Sequence, residues 1–166
     1  MAVTLSDAYR ESLLYVPNDI QHVEALSIIH PNVDDIHIVK DYEDFTGFLD
    51  DLVTQIVFTA GFFSLKMPTK GNSGVPDISF AIGNTDGAIT EYLEQVKLSN
   101  EPVELTYRVY LSSDPSSPVR LPSLTFQVRS VSVSRFQATG RAVFARDLKN
   151  TKVPRERYTR TRFPGL

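Results

Sequence analysis

Residues 103–111, Val103-Glu104-Leu105-Thr106-Tyr107-Arg108-Val109-Tyr110-Leu111, decide the fold class. Val103, Leu105, Tyr107, Val109 and Leu111 alternate with Glu104, Thr106, Arg108 and Tyr110. A period of two places the two sets on opposite faces of an extended chain, so the segment reads as a half-buried strand with Arg108 on its polar side.

Just upstream, Ala88, Ile89, Tyr92, Leu93 and Val96 change to the helical period and form one apolar face, with Asn84 or Thr85 placed to cap the helix. Downstream, Leu124, Phe126 and Val128 resume the period of two. The phase inverts at Val131 and Val133, which requires a bulge or bend near Arg129-Ser130. Gly140 then divides this strand from Ala142 and Phe144, which are expected to pair back antiparallel.

Toward the N-terminus, Val23, Ala25, Ile28 and Ile29, then Ile36, Ile38 and Val39, read as two strands around a turn at Pro31-Asn32 and Asp34-Asp35. Residues 55–67 are a strand carrying Ile56, Phe58, Phe62, Phe63 and Leu65, with a bulge at Gly61. The turn-rich residues 68–76 lead to alternating Ile78, Phe80 and Ile82, which makes a hairpin. Residues 41–51 are acidic, hold Tyr42, Phe45 and Phe48 without a clean period, and read as a loop. Thr4 with Asp7 three residues on has the form of a capping box that opens a short N-terminal helix through Tyr9, Leu13 and Val16.

These elements predict a mainly β fold with some α: an antiparallel β-barrel or sandwich with one central helix and a short N-terminal helix. Regular strand-helix alternation, the mark of a parallel sheet, is missing. At 166 residues one core suffices, and residues 1–148 are expected to form a single domain followed by a basic arm, 149–166. No run approaches the roughly 20 apolar residues of a membrane-spanning helix, so no membrane contact is predicted. Met1 to Arg10 lack the pattern of a secretory signal, which implies a start in the cytoplasm. With no cysteine the chain has no disulfide, thiolate metal site or cysteine nucleophile.

The net charge of −3 is unevenly spread. The arm carries Lys149, Lys152, Arg155, Arg157, Arg160 and Arg162 against Glu156 alone, while acids cluster early at Asp34, Asp35, Asp41, Glu43, Asp44, Asp50 and Asp51. Such asymmetry favours contact between unlike surfaces of neighbouring subunits, or between the arm and a separate acidic partner. The arm also ends in Tyr158, Phe163, Pro164 and Leu166, apolar anchors suited to docking. Its alternation of aromatics and cations would equally suit phosphates and stacked bases, so a nucleic-acid-binding module is the alternative function. The acidic body would repel a polyanion.

Enzymatic chemistry finds no template. His22, His30 and His37 lie near carboxylates but match no metal-ligand spacing, and adjacent pairs such as Asp34-Asp35 and Asp50-Asp51 point in opposite directions on an extended chain. There is no nucleophile elbow, phosphate loop or dinucleotide fingerprint. No catalytic residue, metal or cofactor is expected.

Three stretches carry a family resemblance: Pro76-Asp77-Ile78-Ser79-Phe80-Ala81-Ile82-Gly83-Asn84 with the helix after it; the strand ending Leu111-Ser112-Ser113-Asp114-Pro115; and the closing Tyr158-Thr159-Arg160-Thr161-Arg162-Phe163-Pro164-Gly165-Leu166. They resemble the tail-tip minor tail proteins of long-tailed bacteriophages, and the middle of the chain is similar to the N-terminal domain of the lambda-type minor tail protein L family. The resemblance implies a tail-tube-like β-barrel and a place in the ring or hub that joins the tail tube to the host-recognition apparatus. It also implies a role in tail assembly and DNA ejection. The expected partners are further copies in a trimer or hexamer ring, a distal tail or tail tube protein, a hub protein and the tape measure protein, with transient passage of DNA. The expected location is the virion tail tip, after assembly in the host cytoplasm. The iron-sulfur cluster of the lambda-type family needs cysteines that this chain lacks. The expected subunit contacts are the arm (Lys149, Lys152, Arg155, Arg157, Tyr158, Arg160, Arg162, Phe163, Leu166) and the acids Asp41, Asp44, Asp50 and Asp51, together with the loop at 68–76.

Overall fold

The structure, a computed structural model, describes residues 4–5, 7, 9–10, 21–67, 78–84, 87–97, 99 and 101–144. The elements in chain order are β1 (Thr4–Leu5), β2 (His22–His30), β3 (Val33–Val39), β4 (Phe45–Phe48), β5 (Gln55–Ala60), β6 (Phe63–Lys66), β7 (Ile78–Gly83), α1 (Ala88–Val96), β8 (Glu104–Leu111), β9 (Arg120–Leu121), β10 (Leu124–Val133) and β11 (Gln137–Phe144). The class is mainly β. Nine strands share one sheet in the order β4-β5-β3-β2-β8-β10-β11-β7-β6, and β1 pairs with β9 in a small second sheet.

The ladder is open, yet the sheet is strongly curled. Seven strand-to-strand steps separate β5 from β6, about 34 Å on a flat sheet at about 4.8 Å per step. Only Gly61 and Phe62 connect them in the chain, and from Ala60 to Phe63 an extended backbone spans at most about 11 Å. The two ends of the sheet must therefore come round toward each other. Backbone bonds mark the seam: Gly61 N–H donates to Val39 O at 2.9 Å and Gly83 N–H to Phe62 O at 2.8 Å. Gly61 is thus in the link between two strands rather than a bulge within one. The β3–β5 pair, Ile38 with Thr59 and Val39 with Ala60, is parallel within an otherwise antiparallel sheet.

The concave side encloses the larger core, which includes Leu26, Ile28, Phe63, Ile78, Phe80, Ile82, Leu105 and Phe126. Helix α1 adds Ile89 and Tyr92 to it, as the period predicts. Asn84 anchors the helix: its Oδ1 accepts the N–H groups of Ile89 at 3.1 Å and Thr90 at 3.3 Å, while Gly87 takes the formal cap position. The phase inversion in β10 is a register shift between Val128 and Ser130, which returns Val131 to the core side with Val128.

Four further expectations are corrected. Gly140 lies inside β11, opposite Val131 and Phe80, instead of dividing two strands. A Cβ there would sit 2.4 Å from Ser130 O and 2.5 Å from Phe80 Cζ, so the position needs a residue without a side chain. Residues 41–51 hold β4, whose short, aperiodic Phe45-Thr46-Gly47-Phe48 pairs with β5. Thr4 is in a strand, paired with Leu121, rather than at the start of a helix. Asp7, Tyr9 and Arg10 are helical, and the rest of the expected N-terminal helix lies outside the described residues. The last correction concerns β8, the strand on which the fold class rested: both of its faces are buried, and the polar one is sealed.

Candidate functional site

On the convex side of β8, Thr106, Arg108 and Tyr110 are all buried, with Tyr110 fully so. A guanidinium in this setting needs a partner for charge and for each N–H. Arg108 Nε donates to Asp50 Oδ1 at 2.8 Å and Nη1 to Ser27 Oγ at 2.8 Å. The second partner of Asp50 is Ser123, whose N–H reaches Oδ2 at 2.9 Å and whose hydroxyl reaches Oδ1 at 2.7 Å. Burial opposes ionisation of Asp50, but the Ser123 and Arg108 hydrogen bonds and the Arg108 charge outweigh it and hold the carboxyl below its ordinary range. Ser27, which accepts from Arg108, also shares a hydrogen bond with His37 Nδ1 at 2.9 Å. Burial lowers the His37 pKa; Asp35 opposes it with the next largest effect, and Arg108 adds a smaller lowering. Ser27 and His37 lie within reach of one another as a nucleophile and its base do, but Ser27 has no exposed surface, so the pair is closed to a substrate.

The β4–β5 hairpin is the cover over this face. Its Phe45 and Phe58 pack on Val23, Ala25, Val39 and Tyr110, and the Tyr110 hydroxyl donates to Phe48 O at 2.7 Å. Gly47 admits the phenol ring, since a Cβ there would lie 3.2 Å from Tyr110 Cε1 and 2.8 Å from Phe45 Cε1. At the hairpin tip Asp51 accepts from Val53 N–H at 3.1 Å and from Thr54 N–H at 2.9 Å. Leu52 is held there in the left-handed region at φ 57, a conformation that a leucine adopts only under surrounding constraint. The tip therefore presents Leu52 and Val53 outward in a fixed geometry, with Val53 78% exposed.

The structure separates the expected contact residues. Asp50 is consumed by Arg108 and Ser123, Asp51 by the turn, and Asp44 by the Ala60 N–H at 2.8 Å. Among the described residues Asp41 bonds the neighbouring Tyr42 N–H alone, and it remains exposed beside Tyr42, which is 100% exposed. Lys149, Lys152, Arg155, Arg157, Tyr158, Arg160, Arg162, Phe163 and Leu166 lie outside the described residues, as do the 68–76 loop and the 148/149 boundary. His30 accepts from Asn32 N–H at its Nδ1, and its buried Nε2 has no partner among the described residues. Among the described residues no three His, Asp or Glu side chains converge on a metal position.

The sequence reading missed Arg108, Ser27, Ser123 and His37 as a unit. A cation in the middle of the best-patterned strand, flanked by tyrosines on both sides, was the available signal. It also missed a shallow cleft of about 460 Å³ across β6, β7, β11 and β10, with Ser64, Lys66, Ser79, Ser130, Thr139 and Arg141 among its walls.

Fold and site together define a mainly β domain with a curled sheet, a capped helix and a structural ion pair under a covering hairpin. Residues 8–158 match the family described as a domain of unknown function, DUF1833, and the chain belongs to that family. Among curated proteins none matches the chain.

Proposed function

We propose that this chain is a structural component of a phage tail tip or baseplate, part of the ring or hub between the tail tube and the host-recognition apparatus, acting in tail assembly and DNA ejection. The observation that carries this reading is the β4–β5 hairpin. It holds Leu52 and Val53 exposed on a turn fixed by Asp51, with Val57 exposed on β5, while the polar groups behind it are tied up in internal bonds. Apolar side chains kept outward in a rigid geometry suit burial by a neighbouring protein. Phe62 and Phe136, 63% and 71% exposed, add two further anchors of the same kind. The resemblance of residues 76–84, 111–115 and 158–166 to tail-tip proteins supplies the biological setting, with further copies, tube, hub and tape measure proteins as partners and the virion as location.

The test is electron microscopy and native mass spectrometry of the purified chain, alone and with the neighbouring tail proteins. A trimer or hexamer, alone or on addition of a tube protein, supports the reading. A chain that stays monomeric at high concentration and joins no tail particle refutes it.

A further inference from the structure

Charge is sorted across the sheet in a way that the chain order conceals. Residues 21–60, which build β2 to β5, hold eight carboxylates against Lys40 alone. Residues 120–144, which build β9 to β11, hold four arginines and no carboxylate, and β6 and β7 add Lys66 and no acid. In the sheet β6, β7, β11 and β10 are adjacent, so one end of the strand order is acidic and the other is a continuous acid-free field.

Register makes that field a built surface. Lys66 pairs with Ser79, Ser79 with Arg141, and Arg141 with Ser130, so these four residues stand in one row across four strands. The next row runs Ser64, Ala81, Thr139, Ser132. Cross-strand partners share a face. Both rows border the cleft of about 460 Å³, where hydroxyl donors and two cations meet with no carboxylate among the described residues that line it.

We infer that this cleft is the docking site for the acidic β3–β4 turn of a second copy of this chain. That turn carries Asp41 and Glu43 on either side of the fully exposed Tyr42. It offers an aromatic ring with flanking carboxylates to a recess with cations and hydroxyls at its rim. Complementary charge of this kind selects the partner and fixes its register. The basic residues 149–166 are excluded as occupant by like charge. When each copy gives its turn to one neighbour and takes the turn of another, the contact is heterologous and builds closed rings or open filaments, the form that the proposed ring requires. The inference rests on the assembly role proposed above and names the surfaces that would carry it.

The test uses the full chain in three forms: wild type, a cleft variant (Lys66→Glu with Arg141→Glu) and a turn variant (Asp41→Lys with Glu43→Lys). All four positions are exposed, and circular dichroism checks that each variant folds. Association is followed by light scattering against concentration. Each variant alone is expected to need at least about tenfold more protein than wild type to assemble, because like charges then face each other. An equimolar mixture should recover to within about threefold of wild type, since each variant now complements only the other. Wild type that assembles while both variants match it overturns the inference and leaves the assembly role standing. A wild type that stays monomeric overturns the inference, and the assembly role is then decided by its own test with the tube protein. Salt-dependent binding of a DNA duplex that only the cleft variant loses, with association unchanged, assigns the cleft to nucleic acid and overturns the inference as well.

Discussion

The two faces of β8 are buried to similar depth by different physics. The concave face places Leu105 against Leu26, Phe63 and Phe126 in a continuous apolar core, where shape and area suffice. The convex face places Thr106, Arg108 and Tyr110 under the β4–β5 hairpin, where burial is tolerable only because Asp50, Ser27 and Phe48 O supply partners. An apolar face accepts many cores of similar volume. A sealed ion pair accepts one arrangement, and so registers the hairpin over the sheet. This difference explains how a short β4 with no sequence period comes to hold a defined position at the sheet edge.

The sharpest way to break the comparison is to remove one partner on the convex face. Arg108→Ala is expected to destabilise by roughly 3–5 kcal/mol in chemical denaturation, because Asp50 then keeps its charge in a half-buried site with Ser123 alone. Combining Arg108→Met with Asp50→Asn should cost markedly less than the sum of the single changes, with a coupling of about 1–3 kcal/mol. Strict additivity would show that the pair does not act as a unit. On the concave face Leu105→Ala should cost about 3 kcal/mol through lost contact and a residual cavity, with no such rescue by a second substitution. Asn84→Ala, which strips α1 of the acceptor for Ile89 and Thr90, should lower stability by about 1 kcal/mol.

The smallest effect is a pH dependence confined to the convex side. His37 has a pKa below its ordinary 6.5 because burial and Arg108 favour the neutral ring. The unfolded chain therefore takes up the proton first, and stability is full above pH 6.5 and declines as pH falls through the lowered value. Asp50, held below its ordinary 3.8, has the same sign but acts only in more acid solution. Melting temperatures between pH 7.5 and 5 should fall in wild type, and His37→Gln should flatten that slope. An unchanged slope would assign the dependence to other groups.

Local periodicity carried much of the architecture. The helix at 88–96, the β2–β3 and β6–β7 hairpins, β8 itself and the break near Arg129-Ser130 were legible because each depends on neighbours a few residues apart. Asn84, one of the two residues expected to cap the helix, does bond its first turn, but from three residues before the cap position, which Gly87 takes. What tertiary structure alone decided joins residues far apart in the chain. Arg108 meets Asp50 across 58 positions and Ser27 across 81, and no period within β8 could say that its polar face would be covered. The parallel β3–β5 pair and the acid-free field across β6, β7, β11 and β10 have the same origin. Strand order sets which side chains become neighbours, and it emerges only when the whole sheet curls to bring its two ends together.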